Sequence, residues 1–206
     1  MAINKVKPSR KETVGAQYVC FNTMTEDGEW TEVFETDVER TAVVKTIKVT
    51  ENAADEAVYA SGAVYDNDTA IASIDVETEV IAFPDLTLAK MRGDLVDTGG
   101  LILSGAGRQR PYFAYGKVVK LKNGKMRFEC YPKCKLMENT DDISTSEEKA
   151  SEQNDTLKIK AYPFNDAGDI VAKVSSDAKM PEGLTEEKFF SKPILKKEDL
   201  AAALGA

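Results

Sequence analysis

Two cysteines, Cys130 and Cys134, lie in a lysine-rich stretch, residues 110–136, that reads RPYFAYGKVVKLKNGKMRFECYPKCKL. Thiolates of this kind can act as nucleophiles, redox groups or metal ligands. On a straight strand, however, four residues separate the two Cα atoms by about 13 Å, whereas a disulfide needs Cα atoms within about 7 Å. The spacing therefore favours buried, unreactive thiols on one apolar face. A redox or metal site is the alternative, and it requires a sharp bend at Pro132 and a third thiol from Cys20.

The remaining residue types offer no catalytic device. The chain contains no histidine, which removes the Ser-His-Asp and Cys-His arrangements and every zinc site that uses histidine. The segment SGAGRQR, residues 104–110, has Gly-x-Gly but lacks a third glycine and a Lys-Ser or Lys-Thr ending, so it predicts a turn rather than a phosphate loop. Carboxylate pairs are abundant, but none is singled out as a raised-pKa acid. We therefore expect no enzyme activity, no cofactor and no bound metal.

The length and composition indicate an acidic protein with a single domain. The chain has 206 residues, of which 42% are hydrophobic, and its net charge is 27 − 35 = −8. The negative charge argues against tight nucleic-acid binding. No apolar run reaches the length of a signal peptide or membrane span, which predicts a soluble cytosolic protein without membrane contact. Three cysteines, an odd number, then predict free thiols.

Most of the chain has the patterns of strands. Residues 16–24, 40–50 and 58–64 are rich in β-branched and aromatic types, and Asp66 begins a turn. The clearest alternation lies in residues 70–83 and predicts a half-buried strand with one acidic, open face. The apolar positions are Ile74, Val76 and Val80, and the polar ones are Ser73, Asp75, Glu77 and Glu79. Calcium binding by these acids is disfavoured, because they project from a strand rather than converge from a loop.

One helix interrupts the strands. Leu86, Leu88, Met91 and Leu95 follow a helical stripe, which predicts a helix near 85–96 that ends at the Gly99-Gly100 pair. Residues 137–155 are acidic and almost without large apolar groups, so they predict a long loop. The predicted organisation is an N-terminal arm at 1–15, a β-domain at 16–176 and a C-terminal extension at 177–206.

Asn123-Gly124 is a strong signal for a two-residue hairpin turn of type I′. In that register Lys122 faces Lys125, and Arg127 and Glu129 point to solvent. One face then collects apolar residues, with Lys117 as the exception among Phe113, Tyr115, Val119, Leu121, Met126, Phe128 and Cys130. The lysines predict a solvated edge that discourages unwanted strand pairing.

The order of these segments from about residue 58 to 164 resembles the major tail protein of long-tailed, non-contractile bacteriophages. The resemblance rests on AVYASGAVYDNDTA, on IDVETEVIAFPDLTLAKMRGDLVD, on the hairpin RPYFAYGKVVKLKNGKMRF and on the acidic TSEEKASEQNDTLKIKAYP. It implies a mainly β, sandwich- or barrel-like tail-tube fold with one flanking helix and extended arms. It also implies a virion protein, assembled in the host cytoplasm, that forms stacked hexameric rings through which DNA is ejected. The implied partners are further copies of the chain and tape-measure, tail-terminator and baseplate or distal tail proteins.

Within that interpretation two surfaces are candidate functional sites. Asp75, Glu77 and Glu79 are expected to line the bore, where carboxylates repel phosphate by on the order of 1 kcal/mol per close pair in water. An ordinary solvated outer face is the alternative for these acids. The acidic loop, with Asp141, Asp142, Glu147 and Glu148, is the expected ring-stacking element. The alternative function is a β-sandwich binding module, such as a capsid-decoration or carbohydrate-binding protein.

Overall fold

A computed structural model describes residues 7–60, 63–141, 143, 145 and 154–205, with the backbone alone for 54–60 and 63–70. Its strands are β1 Lys11–Phe21, β2 Glu39–Thr41, β3 Val44–Ala60, β4 Ala63–Val80, β5 Leu95–Val96, β6 Ile102–Leu103, β7 Phe113–Leu121, β8 Met126–Asp141, β9 Asp155–Ala161 and β10 Ala172–Ser175. Its α-helices are α1 Asp85–Arg92, α2 Glu186–Phe189 and α3 Lys197–Leu204. The predicted mainly β class is confirmed. In these ranges no helix is long and apolar enough to cross a membrane.

Eight of the described strands form one antiparallel sheet, in the order β2-β1-β7-β8-β9-β4-β3 with β10 paired to the first part of β8, and β5 and β6 form a separate two-stranded sheet. The sheet curls on itself. Gln17 of β1 accepts hydrogen bonds through Oε1 from Thr78 of β4 at 3.2 Å and from the hydroxyl of Tyr115 at 3.1 Å. Because β1 and β4 are not neighbours in the sheet, these bonds cross its interior, and the fold is barrel-like.

Two hydrophobic cores hold the sheet. The first core fills the curled interior and includes Leu88 and Met91 of α1. Its buried members are Val19, Phe21, Ile74, Val76, Val80, Phe83, Met91, Phe113, Tyr115, Tyr131, Cys134, Leu136, Leu157, Ile159, Ala161 and Ile170. The second core lies on the opposite face of β1, β7 and β8, where the C-terminal segment covers it. Its buried members are Ala16, Tyr18, Val118, Phe128, Cys130, Leu184, Phe189, Phe190 and Ile194.

The β7–β8 hairpin differs from its prediction by one residue of register. Its turn has three residues rather than two, Lys122–Gly124, with Asn123 at φ 65° and Gly124 at φ 70°. Val118 rather than Val119 therefore lies opposite Phe128, and Lys117 lies opposite Glu129. Since a shift of one residue moves every side chain to the other face, the predicted apolar face is wrong. The predicted solvent exposure of Glu129 is also wrong, because Glu129 is buried.

The predicted common face for Cys130 and Cys134 is wrong for a related reason. Between Phe113↔Cys134 and Tyr115↔Tyr131, one residue of β7 opposes two of β8, Pro132 and Lys133, which makes a β-bulge. The bulge places Cys130 in the second core and Cys134 in the first. Both thiols are free and buried, and burial raises the pKa of Cys130 to about 12. Thiols held in this protonated form are poor nucleophiles.

The predicted helix ends earlier than its apolar stripe suggests. Helix α1 stops at Arg92, because Gly93 adopts φ 74° and caps it. Leu95 therefore belongs to β5, and it is 61% exposed, as is Leu86 at 63%. The glycine pair at 99–100 lies in the following loop instead of ending the helix.

Strands β3 and β4 form one long hairpin, where the sequence predicted a short strand and a turn at Asp66. Pairing runs from Val44↔Val80 to Ala60↔Ala63, and Asp66 lies opposite Val58 within it. Strand β9 pairs with β4 only from Ile74 to Val80. In the described part of the chain, residues 63–73 of β4 therefore have β3 as their one neighbour. This part of the hairpin is a two-stranded ribbon of roughly 35 Å, at about 3.3 Å per residue.

The chain segments outside the predicted domain are tied to it. The first strand begins at Lys11, inside the predicted arm, and Met137–Asp141 of the predicted loop belong to β8. Asp177 accepts hydrogen bonds from the backbone and hydroxyl of Ser9 and lies 2.8 Å from Lys125. The contact with Lys125 and the bonds from Ser9 lower the pKa of Asp177 to about 2. The N-terminal arm is thereby fixed to the C-terminal segment and to the β7–β8 hairpin.

Candidate functional site

The acidic residues of β4 lie on one open face, as the alternation predicted. Asp75 and Glu77 are exposed and Glu79 is half-buried. The intervening positions are buried and include Ile74, Val76, Thr78 and Val80. Ser73 departs from the pattern, because it is buried although it was predicted to be polar and open.

This face alternates in charge instead of being purely acidic. Glu77 lies between Lys48 of β3 and Lys158 of β9, and Asp75 lies opposite Lys160. Opposite charges at such cross-strand positions attract each other. The same residues border a shallow depression of about 380 Å³. Each lysine on this face therefore has a carboxylate beside it, and the face carries little net positive charge.

Neutral side chains hold the acids in place. Asn52 donates a hydrogen bond to Asp75 at 2.7 Å, and Asn154 donates one to Glu79 at 2.9 Å. The acids thus remain spread along the strand. Among the described residues, no group of three His, Cys, Asp or Glu side chains is arranged to hold a metal ion.

The predicted stacking residues lie apart from this acidic face or outside the described ranges. Asp141 is exposed at the end of β8, opposite Asp155 at the start of β9. Asp142, Glu147 and Glu148 fall outside the described residues. Asn123 and Gly124 are exposed at the tip of the β7–β8 hairpin.

A buried polar layer inside the curled sheet was missed by the sequence interpretation. Lys117 Nζ lies 3.0 Å from Glu129 Oε2, and the hydroxyl of Tyr131 donates to the same oxygen at 2.8 Å. Arg127 Nε is 2.7 Å from the other carboxylate oxygen. Burial raises the pKa of Glu129, but Lys117, Tyr131 and Arg127 outweigh it, so the pKa lies below its ordinary value. Burial lowers the pKa of Lys117 despite the attraction of Glu129. The one feature of the sequence that could have indicated this layer is Lys117, a charged residue within a run of apolar positions.

A small exposed apolar hairpin was missed as well. Strands β5 and β6 pair only with each other in the described sheets. They and their connecting loop expose Leu95, Val96, Leu101 and Leu103 to between 47% and 61%. Clustered exposed apolar residues of this kind mark contact surfaces.

Comparison with known proteins identifies the class of the molecule. No curated protein matches the chain. One similar solved chain, from the cryo-EM structure of the anti-feeding prophage baseplate, is 10% identical, with a TM-score of 0.39 over 84% of this chain and 97% of that one. Another, from the structure of a type six secretion system protein, is 12% identical, with a TM-score of 0.35 over 78% and 91%. The family model described as phage tail tube protein matches residues 10–198, and the chain therefore belongs to the phage tail tube protein family.

Proposed function

We propose that this protein polymerises as stacked hexameric rings that form the tube through which phage DNA is ejected. Membership of the tail tube family, over residues 10–198, carries the proposal and makes the chain a structural component of a virion tail. Tape-measure, terminator and baseplate or distal tail proteins are the proposed neighbours. The proposed place of assembly is the host cytoplasm.

Three surfaces support self-assembly. In the described residues strand β3 pairs only with β4, so its other edge can receive a neighbouring strand. The β5–β6 hairpin exposes four large apolar residues. The β3–β4 ribbon extends beyond the strands that surround its base. Each of these surfaces would be buried by contact with another copy.

Negative-stain electron microscopy of the purified protein at high concentration tests the proposal. We expect rings or tubes of uniform diameter. Sedimentation over the same concentration range distinguishes this proposal from the alternative function. A capsid-decoration or carbohydrate-binding module would sediment as a small particle at every concentration. Particles that remain monomeric in every buffer, together with the absence of the chain from any virion, would contradict the proposal.

We further propose that Asp75, Glu77 and Glu79 face the bore. The lysines beside Glu77 and Asp75 in the register, Lys48, Lys158 and Lys160, would otherwise attract phosphate. Carboxylates beside the lysines offset that attraction, which acts over a screening length of about 8 to 10 Å. The DNA would then pass along the wall without being held.

Replacing all three acids by lysine is expected to slow or block DNA ejection while tubes still form. Each replacement changes the charge by two units, so the face becomes strongly basic and retains the duplex. Ejection from reconstituted particles measures the effect. The matched control replaces Glu26, Asp27 and Glu29 by lysine as well. These residues are exposed in the loop after β1, and this variant should eject DNA at the normal rate. If the β4 variant ejects DNA at the normal rate, this face does not line the bore.

We propose that the acidic segment between β8 and β9 contributes to ring stacking. Asp141 and Asp155 lie opposite each other at its base, so a short turn can replace residues 142–153 without separating the strands. With Asn-Gly in their place, we expect folded monomers that no longer form tubes. Electron microscopy and circular dichroism measure the two properties. Full-length tubes from this variant would assign stacking to another element.

A further inference from the structure

A polar cleft lies at the side of the curled sheet, between β3 and the strands β1, β7, β8 and β10. Its volume is about 550 Å³. Its charged lining consists of Lys11, Lys117, Arg127 and Lys173 against Glu51 and Glu129, which is 4 − 2 = +2 charges in a chain whose net charge is −8. The cleft is therefore a concentration of positive charge on an acidic protein.

Along the inner wall of this cleft, the pairing of the strands places charged residues next to one another. Lys117 lies opposite Glu129, and Glu129 opposite Lys173, so three charged residues that line the cleft cross three adjacent strands on one face. Lys117 and Glu129 are each 6% exposed. Such buried charges are costly unless they are paired and hydrogen-bonded, which indicates a fixed polar layer rather than a chance surface cluster.

The polar layer has more donors than acceptors. Lys117, Arg127 and the hydroxyl of Tyr131 all approach the single carboxylate of Glu129. Arg127 Nε makes no aligned hydrogen bond within the described ranges. Lys11 and Lys173 are exposed at the mouth of the cleft. A site that is rich in donors and positive charge suits a carboxylate.

The β3–β4 hairpin has the complementary charge. From Val49 to Ala89 the sequence has no lysine or arginine, and its ribbon carries Asp55, Glu56, Asp66 and Asp68. Glu56 and Asp68 occupy directly opposed register positions, and Asp66 is two residues from Asp68 on the same face. The ribbon thus carries four acidic residues and no basic one, a composition that suits a cationic partner.

We propose that the cleft is a carboxylate-binding site that receives the acidic β3–β4 hairpin of a second copy of this chain. The inference rests on the proposed self-assembly. A second copy is required because the cleft is lined by Val49, Glu51 and Ile74, at the base of the chain's own hairpin. Pairing continues from there to Ala60↔Ala63, so each hairpin carries its acids away from its own cleft.

Two charge-reversed proteins test this pairing. The cleft variant carries Lys11→Glu and Lys173→Glu, both at exposed positions. The hairpin variant carries Glu56→Lys, Asp66→Lys and Asp68→Lys, which changes the charge of the four ribbon acids from −4 to −1 + 3 = +2. Alone, each variant brings like charges together, and we expect its critical concentration for tube formation to rise about tenfold or more. Mixed in equal amounts, the two variants offer opposite charges again, so assembly should return.

The control carries Lys188→Glu and Lys197→Glu, two exposed positions on the C-terminal segment, and should assemble like the unmodified protein. Circular dichroism and thermal unfolding establish that every variant is folded. Tubes grown from equal amounts of 14N- and 15N-labelled protein are then cross-linked with a carbodiimide, which joins carboxylates to lysines in contact. We expect mixed-isotope links from the hairpin to Lys11 or Lys173.

The outcomes separate the two proposals. If the unmodified protein forms no tubes under any condition and the chain is absent from every virion, the proposed function fails. If tubes form but the cleft variant assembles normally, or the mixture is not rescued, or the hairpin links to other lysines, the cleft assignment is wrong and the tail-tube function stands.

Discussion

Replacing Lys117 by methionine is expected to lower the free energy of unfolding by about 3 kcal/mol, the lower end of the range for breaking a buried ion pair. The reason is the carboxylate left behind. Glu129 is 6% exposed, and without Lys117 its remaining partners among the described residues are Arg127 and the hydroxyl of Tyr131. Methionine has a similar volume to lysine, so the cost is electrostatic rather than a cavity.

Urea denaturation as a function of pH measures this effect. The pKa of ionised Glu129 is held below its ordinary value, so its stabilisation is present above the unfolded pKa and is lost as pH falls through the folded one. In Lys117→Met the folded pKa rises, because burial is less fully offset. The gap in stability between the two proteins should therefore narrow as the pH falls from the raised folded pKa of Glu129 in the variant to its lowered folded pKa in the unmodified protein.

The double variant Lys117→Met/Glu129→Gln is the control for this prediction. Glutamine still accepts the hydrogen bond from Tyr131 but carries no charge, so most of the lost stability should return. A single variant as stable as the unmodified protein, with no change in pH dependence, would mean that water reaches Glu129.

The parts of the fold that were predictable are those with one buried face. Residues 70–83 alternate because Ile74, Val76 and Val80 face the first core while Asp75 and Glu77 remain open. Strand β7 was harder to predict from the sequence, because Tyr115 lies in the first core and Val118 in the second. A strand covered on both faces has no alternation to read, and its register depends on the length of its turn.

The β3–β4 hairpin illustrates a second limit. Asp66, Asn67 and Asp68 are typical turn residues, yet they lie within a paired strand. Tertiary and quaternary context can override such local preferences. If the cleft proposal is correct, the acids that made this segment look like a turn are there for recognition by another copy.

The polar layer was unpredictable for a third reason. Lys117 and Glu129 are twelve residues apart in sequence, and their contact follows from the three-residue turn of Lys122–Gly124. A two-residue turn places Lys117 opposite Cys130 instead. The identity of the buried partner thus depends on a single residue of register, which composition and periodicity do not determine.

The C-terminal segment is attached to the sheet through an aromatic cluster centred on Phe190. Its ring stacks on Tyr18 with centroids 4.1 Å apart and also contacts Phe128 and Phe189. A Cβ on Gly116 would lie 2.5 Å from the same ring, so only glycine admits this approach. Tyr18 also donates to Glu186, which pairs with Arg40 at 3.1 Å.

Phe190→Ala is therefore expected to lower the free energy of unfolding by about 3 to 5 kcal/mol, the range for deleting a buried phenylalanine. The loss falls on the second core, because Leu184, Phe189 and Ile194 reach the sheet through the same segment. We expect proteolysis after residue 180 to become at least tenfold faster, while the first core keeps its hydrogen-exchange protection. Tyr18→Phe is the matched control, since it keeps the stacked ring and loses only the hydroxyl contacts, at a cost of about 1 kcal/mol. Equal effects of the two substitutions would assign the attachment to the polar contacts instead, and uniform loss of protection would show that the two cores unfold as one.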